Sequence, residues 1–246
     1  MVSKNQKKLI KSLYQKKYRK QHGLFVAEGK KVIKELLEAN IKLHSLFTLQ
    51  DNLFDVSEAL EHKITEDELK QISFLTTPQV ALAVFYIPVQ DEIRGDGLVL
   101  ALDDIRDPGN LGTIIRLCDW FGVEELVCSL QTVDCYNPKV IQATMGSITR
   151  INIVYTNLQQ YIEEESSNSK VFGTFMGGEN IFSVKLPEKG VIVMGNEASG
   201  ISATIENLVS QKLAIPQFGQ IQKTESLNVA TATAIVLSEF KRSYLD

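Results

Sequence analysis

The feature that most constrains this chain is a change of pattern near residue 97. From there on, near-continuous apolar runs alternate with helix-like stretches, beginning with Leu-Val-Leu-Ala-Leu-Asp at 98–103. A run without polar alternation marks a strand covered on both faces, as in a parallel sheet flanked by helices. The pattern predicts a helix at 110–121, a strand at 125–130, a helix at 138–146, a strand at 150–155 and a helix at 157–165. Strands at 170–175 and 190–195, a short helix at 202–208, a strand at 212–216 and a closing helix at 228–242 complete the series. Such alternation gives an open parallel α/β sheet, whose ligands sit beyond the carboxyl ends of the strands.

The first part of the chain reads as a smaller α/β region. A basic helix is expected over 3–20, an extended piece at 24–26, a helix at 29–39, a strand at 43–48, helices at 52–61 and 66–72, and a strand at 80–87. The stretch 88–97, with a proline and two glycines, reads as a connector. The expected division is 1–90, a linker at 91–97, and 98–246.

Charge divides the chain in the same direction. The whole chain of 246 residues carries a net −4, yet residues 1–31 hold ten Lys/Arg against the single acid Glu28, a local +9. Screening limits electrostatic reach to about 8–10 Å at physiological salt, so a polyanion feels the local charge, not the total. Lys7, Lys8, Lys11, Lys16, Lys17 and Arg19 are the candidate RNA-binding cations, interleaved with Tyr14, Tyr18 and His22, which can stack on bases. The same segment also reads as a solvated basic helix.

Several classes of function drop out. No apolar run approaches the ~18–20 residues that span a bilayer, so no membrane role is expected. No secretory signal is visible. Cys118, Cys128 and Cys135 form no CxxC pair and suit a reducing compartment, with the cytoplasm as the default. His22, His44 and His62 all lie in the first quarter of the chain, which excludes a Ser-His-Asp or Cys-His site in the later part. No metal-ligand spacing occurs, and neither GxGxxG nor a phosphate loop is present.

Three junctions place Gly, Asn and charged or hydroxyl residues just past an apolar strand. In 102–122, Pro108-Gly109 makes a turn, Asn110 sits where a helix cap belongs, and Arg116 falls opposite the apolar stripe of Ile114, Leu117, Cys118 and Phe121. In 191–202, a strand runs into Gly-Asn-Glu-Ala-Ser-Gly, which lets backbone approach a ligand closely. In 214–240, a strand, a polar loop and a helix with small residues at Ala230, Ala232 and Ala234 follow each other. Taken singly, each reads more readily as a capped strand-to-helix turn than as a site.

Together, in this order, Asp-Pro-Gly-Asn-Leu-Gly-Thr-Ile-Ile-Arg, then Val-Met-Gly-Asn-Glu, then Ile-Pro followed by Glu-Ser-Leu-Asn resemble the SpoU (TrmH-like) RNA ribose methyltransferases of the SPOUT superfamily. The match covers about 98–242. Residues 25–37 and 72–84 resemble the small substrate-binding domain that often precedes that catalytic domain. The resemblance implies a parallel sheet closed by a C-terminal trefoil knot, a homodimer, and S-adenosylmethionine held mainly by backbone at Gly195, Ile215 and Leu227. The loop from Ile215 to Glu225 is about three residues longer than the family spacing.

The family's functional positions fall on Asn110, Arg116, Glu197, Ser226 and Asn228. A ribose 2′-hydroxyl is a very poor acid, so a guanidinium beside it is useful in stabilising developing negative charge. Arginine stays protonated, which makes Arg116 an electrostatic activator or phosphate clamp more readily than a base. Asn110 would position Arg116 or the ribose, Ser226 and Asn228 would orient donor and acceptor, and Glu197 would hold the loop. No metal is needed. The implied activity is ribose 2′-O-methylation of structured RNA, rRNA ahead of tRNA. The alternative is a catalytically silent RNA-binding or assembly factor that retains the fold.

Overall fold

The structure, a computed structural model, describes residues 1–219 and 226–242. Residues 1–89 form helices α1 (Lys4–Ser12) and α2 (Lys16–His22), strand β1 (Leu24–Glu28), α3 (Lys30–Glu38), β2 (Leu43–Thr48), β3 (Glu61–Lys63), α4 (Glu66–Ile72) and β4 (Ala81–Tyr86). The chain continues through β5 (Leu98–Asp103), α5 (Pro108–Phe121), β6 (Glu125–Ser129), α6 (Pro138–Thr144), β7 (Asn152–Thr156) and α7 (Leu158–Glu165). It ends with β8 (Val171–Asn180), β9 (Gly190–Gly195), α8 (Ala203–Glu206), β10 (Gln211–Ala214) and α9 (Val229–Arg242).

Two compact units result. The first holds Met1–Val89 together with Asp134–Thr149; the second begins at Gln90, leaves at Val133 and resumes at Arg150. The stretch carrying α6 thus belongs with the N-terminal residues, and burial explains why. Ile141 is fully buried in one cluster with Phe25, Ile33, Leu36, Leu46 and Phe85, and the Phe25 and Tyr136 rings lie 4.9 Å apart. Burying a side chain of that size contributes about 1.5–3 kcal/mol. Gly146 meets α3 so closely that a Cβ there would lie 2.6 Å from the side chain of Glu35.

The first unit is built on a mixed four-stranded sheet, β1-β4-β2-β3. Two expectations fail in it. The single helix at 3–20 is two helices, because Gln15 adopts extended backbone and the chain folds back on itself. The Arg19 guanidinium then donates to the carbonyls of Leu13 and Tyr14, among the acceptors that the end of α1 leaves open. The helix expected at 52–61 does not form. The backbone turns at Asn52, whose φ is +54°, Leu53, Phe54 and Val56 pack onto the core from irregular backbone, and Glu61–Lys63 pairs in parallel with the edge of β2.

The second unit is a six-stranded, all-parallel sheet in the order β10-β8-β9-β5-β6-β7. From β5 the chain builds outward to β6 and β7, then restarts on the far side and inserts β9 beside β5. This reversal brings the carboxyl ends of β5 and β9 together, with Asp103 opposite Gly195. Val99, Ala101, Val127, Val191 and Val193 share one buried cluster with Leu158 and Ile162 of α7. Helix α9 packs on α5, and Phe240 meets Phe172 edge-on at 5.2 Å. Strand β8 runs five residues past its expected end, since after a register shift in β10 its last residues pair with Leu213 and Ala214. The knot implied by the family closes through residues that include 220–225, which lie outside the described residues.

Candidate active site

The three motif loops meet at the carboxyl ends of β5 and β9, the point where strand order reverses and where ligands of open α/β sheets bind. The first loop enters α5 through Asp107, whose side chain accepts from the Asn110 amide at 2.8 Å, with Pro108 as the first helical residue. The cap is therefore Asp107; Asn110, expected there, is one turn in, with its side chain released for other contacts.

Those contacts form a row. The Asn110 Nδ2 group donates to Glu197 at 3.0 Å, and the Asn228 Nδ2 group donates to the Asn110 Oδ1 at 2.9 Å. Asn228 Oδ1 in turn accepts from the amides of Ala230 and Thr231, capping α9. This cap fixes which end of each amide points where, because Asn228 has only its NH2 left to offer Asn110. Glu197 also faces the amides of Arg106 and Asp107, each at 3.4 Å. With three donors directed at it, the carboxylate serves as an acceptor that ties the second loop to the first.

Gly195 needs its lack of a side chain. A Cβ there would lie 2.2 Å from the amide nitrogen of Ile201. The tight turn beyond it is held by Asn196, whose Oδ1 accepts from the amides of Ala198 and Ser199 while its Nδ2 donates to the Asp104 carbonyl at 2.6 Å. Asp103, largely buried, accepts from the Ser202 amide at 2.8 Å. Arg116 stands on the exposed face of α5, in line with Thr113 and Trp120, and has no hydrogen-bond or ion-pair partner among the described residues. Ile215 is half-buried; Ser226 and Leu227 are exposed ahead of α9.

Residues 97–238 match the model of the SpoU rRNA methylase family, and residues 4–83 match that of the MRM3-like substrate binding domain. The 23S rRNA (guanosine(2553)-2′-O)-methyltransferase RlmP of Bacillus subtilis is 31% identical over 96% of both chains. The chain belongs to the SpoU rRNA methylase family. Among solved structures, a TrmH-family protein from Porphyromonas gingivalis superposes with a TM-score of 0.90 at 35% identity, covering 99% of each chain. An AdoMet-bound rRNA methyltransferase from Sinorhizobium meliloti gives 0.87 at 29%, covering 100% of this chain and 98% of that one.

Within this SpoU fold, the site brings together Asn110, Glu197 and Asn228 and leaves Arg116 open to solvent. It does not support Arg19 as an RNA ligand. That side chain is 2% exposed, and its Nε and Nη2 groups both donate to Asp134. The sequence reading passed over Asp103, Asp107 and Asn196, although Pro108 at the first helical position marks the residue before it as the cap, and an Asn side chain readily accepts from the backbone two residues on to make an Asx turn. The cofactor that the family implies, S-adenosylmethionine, suits what is present. Close-packed backbone at Gly195 leaves main-chain groups as the donors, and exposed Phe182 and Phe218, 6.4 Å apart, provide apolar surface on the loops after β8 and β10.

Proposed function

We propose that this SpoU-family chain is an S-adenosylmethionine-dependent methyltransferase acting on ribose 2′-hydroxyls of ribosomal RNA. The observation that carries the reading is the row Glu197–Asn110–Asn228, which ties all three motif loops together beside a helix that presents an arginine with no partner among the described residues. A binding module gains nothing from that convergence.

S-adenosylmethionine, when bound, supplies an electrophilic methyl on a sulfonium. Gly195, Ile215 and Leu227 hold it, largely through backbone. In the transfer the 2′-oxygen would take the methyl carbon as the carbon–sulfur bond breaks, its electron pair going to sulfur to leave a neutral thioether, and the hydroxyl proton would pass to solvent. Arg116 stabilises the negative charge that builds on that oxygen or steadies the adjacent phosphate. Asn110, locked between Glu197 and Asn228, has one orientation and can position the ribose without rearranging. Ser226 and Asn228 orient the two reactants, and Glu197 keeps the first and second loops in register.

RNA is gripped by the first unit. Lys7, Lys8, Lys11, Lys16 and Lys17 are all exposed, and this unit carries fifteen basic against eleven acidic residues, whereas the second carries eleven against nineteen. The named relative acts on 23S rRNA and the Sinorhizobium structure is of an rRNA methyltransferase, which favours rRNA as substrate here. The working form is a homodimer through the second unit. The cytoplasm is its place, in keeping with described helices of which none is long and apolar enough to cross a membrane.

The test is to compare ribose methylation across total RNA from cells with and without the gene, and to restore it with purified protein and S-adenosylmethionine. One or more rRNA 2′-O-methyl groups disappear and return. Unchanged methylation, with rRNA still bound by the protein, makes it a silent assembly factor.

A further inference from the structure

In the first two motif loops, residues 102–110 and 195–202 carry four carboxylates, Asp103, Asp104, Asp107 and Glu197, and a single cation, Arg106. An RNA that brings a ribose to this point also brings phosphates, and within the ~8 Å that salt leaves unscreened like charges repel. Three of the carboxylates are occupied in holding the loops. Asp103 accepts from the Ser202 amide, Asp107 from the Asn110 amide, and Glu197 from the Asn110 side chain and the amides of Arg106 and Asp107. Asp104 is turned to another purpose.

Asp104 follows β5 with a φ of +60°, in the left-handed region that residues other than glycine seldom adopt. Its amide donates to the Ser129 Oγ at 2.9 Å and its carbonyl accepts from Asn196, so both main-chain groups pin the turn. The side chain is left for Arg106: Oδ1 accepts from Nε at 2.9 Å and Oδ2 from Nη2 at 2.8 Å. This parallel fork fixes the plane of a guanidinium that is still 73% exposed. Two of its five N–H groups are used, and the other three have no partner among the described residues. An exposed ion pair adds little to stability, and sparsely populated backbone of this kind clusters where function requires it. The cation is thus oriented before any ligand arrives, which removes part of the ordering cost of binding one.

We propose that Arg106 grips a phosphate of the RNA beside the target ribose, and that Asp104 is the positioning residue that aims it. The open edge of the guanidinium, Nη1 with the outer hydrogen of Nη2, matches two phosphate oxygens bidentately. With the phosphate held there, Arg116 is free to face the 2′-oxygen. The proposal rests on the RNA reading above and deepens it.

The test uses the full chain, unmodified large-subunit rRNA transcribed in vitro and tritiated S-adenosylmethionine. Arg106→Gln raises KM for this RNA about tenfold, as loss of a charge-assisted bidentate contact should, and leaves kcat within about twofold. Filter binding of the same RNA shows the slope of log K against log salt falling by about 0.7–0.9, the share of one phosphate. Calorimetric affinity for S-adenosylmethionine is unchanged. Asp104→Asn tolerates the left-handed backbone, gives up the charged fork and raises KM about threefold with kcat kept.

An unaltered KM and slope in Arg106→Gln makes this a plain surface ion pair and overturns the grip. A fall in kcat at constant KM, or a loss of cofactor affinity, does the same, since either means that Arg106 supports the catalytic loops and not the RNA. A lower KM in Asp104→Asn makes Asp104 a competitor for Arg106 and overturns its positioning role. If the wild-type chain binds this RNA without methylating it, the proposed function falls, and the salt slope of Arg106→Gln still decides the grip. Failure to bind the RNA at all removes both.

Discussion

Helices α2 and α5 each carry an arginine that the sequence places among the candidate anion ligands, and they use it in opposite ways. Arg19 is buried, with Nε and Nη2 on Asp134 and Nη1 on two carbonyls at the end of α1. Arg116 is exposed and unpartnered among the described residues. A guanidinium already bound to a carboxylate and two carbonyls has little left to offer a phosphate, whereas an open one has its full set of donors. The difference teaches that a count of cations does not measure affinity for RNA; what matters is which of them are still free to bind it.

The strongest test of this contrast is Arg19→Ala. Removing one partner of a buried ion pair leaves the other uncompensated and costs about 3–5 kcal/mol. Denaturant unfolding should register that loss, while Arg116→Ala, on an open surface, should leave the unfolding free energy within about 0.5 kcal/mol of wild type. Equal midpoints for the two variants would erase the distinction. In the other direction, Arg116→Ala should lower the methyl-transfer rate by ~10²–10³ with calorimetric S-adenosylmethionine affinity unchanged. Activity within about threefold of wild type would remove the role assigned to it.

A smaller effect concerns the lysines. Replacing Lys7, Lys8, Lys11, Lys16 and Lys17 by Gln should weaken RNA binding and flatten the dependence of log K on log salt, each lost phosphate contact reducing the slope by roughly 0.7–0.9. The methylated nucleotide should stay the same, since phosphate contacts position without specifying. An unchanged slope would put these side chains in the same class as Arg19, present but not in contact with RNA.

The smallest expected effect compares two carboxylates. Asp134 has a guanidinium partner; Glu28 has none among the described residues, and desolvation raises its pKa in the folded chain. A raised folded pKa means that the native state holds the proton longer than the unfolded one. The Glu28 contribution to stability is therefore complete below the unfolded value near 4.5 and is lost as pH rises through the folded value. Unfolding followed from pH 4 upward should show wild type losing ground against Glu28→Gln. A parallel pair of curves would mean that Glu28 titrates as an ordinary surface acid.

The parallel sheet was legible because its strands are covered on both faces, so β5 and β9 stand out as unbroken apolar runs with the bounds expected. Helix α4 and strand β2 were equally clear. Elsewhere, distant contacts decided the outcome. The break between α1 and α2 depends on Asp134, more than a hundred residues away, which holds Arg19 folded back toward Leu13. Nothing within 3–20 announces it. At the candidate site the residue types were legible, but the order of contacts was not. That Asn228 donates to Asn110, and not the reverse, follows from its duty as the cap of α9, which occupies its Oδ1 and leaves only its NH2 to give.

The return of Asp134–Thr149 to the first unit has a consequence for how such a chain can vary over generations. The N-terminal unit is not a bead that recombination could exchange at residue 90, because its core is completed by Ile141 and its buried arginine is answered by Asp134, both inherited from farther along the gene. A crossover between diverged relatives at the apparent boundary would join halves whose complementary residues had drifted apart. The two stretches must therefore change together, and a substitution at Arg19 would be tolerated most readily in a lineage that had already altered Asp134.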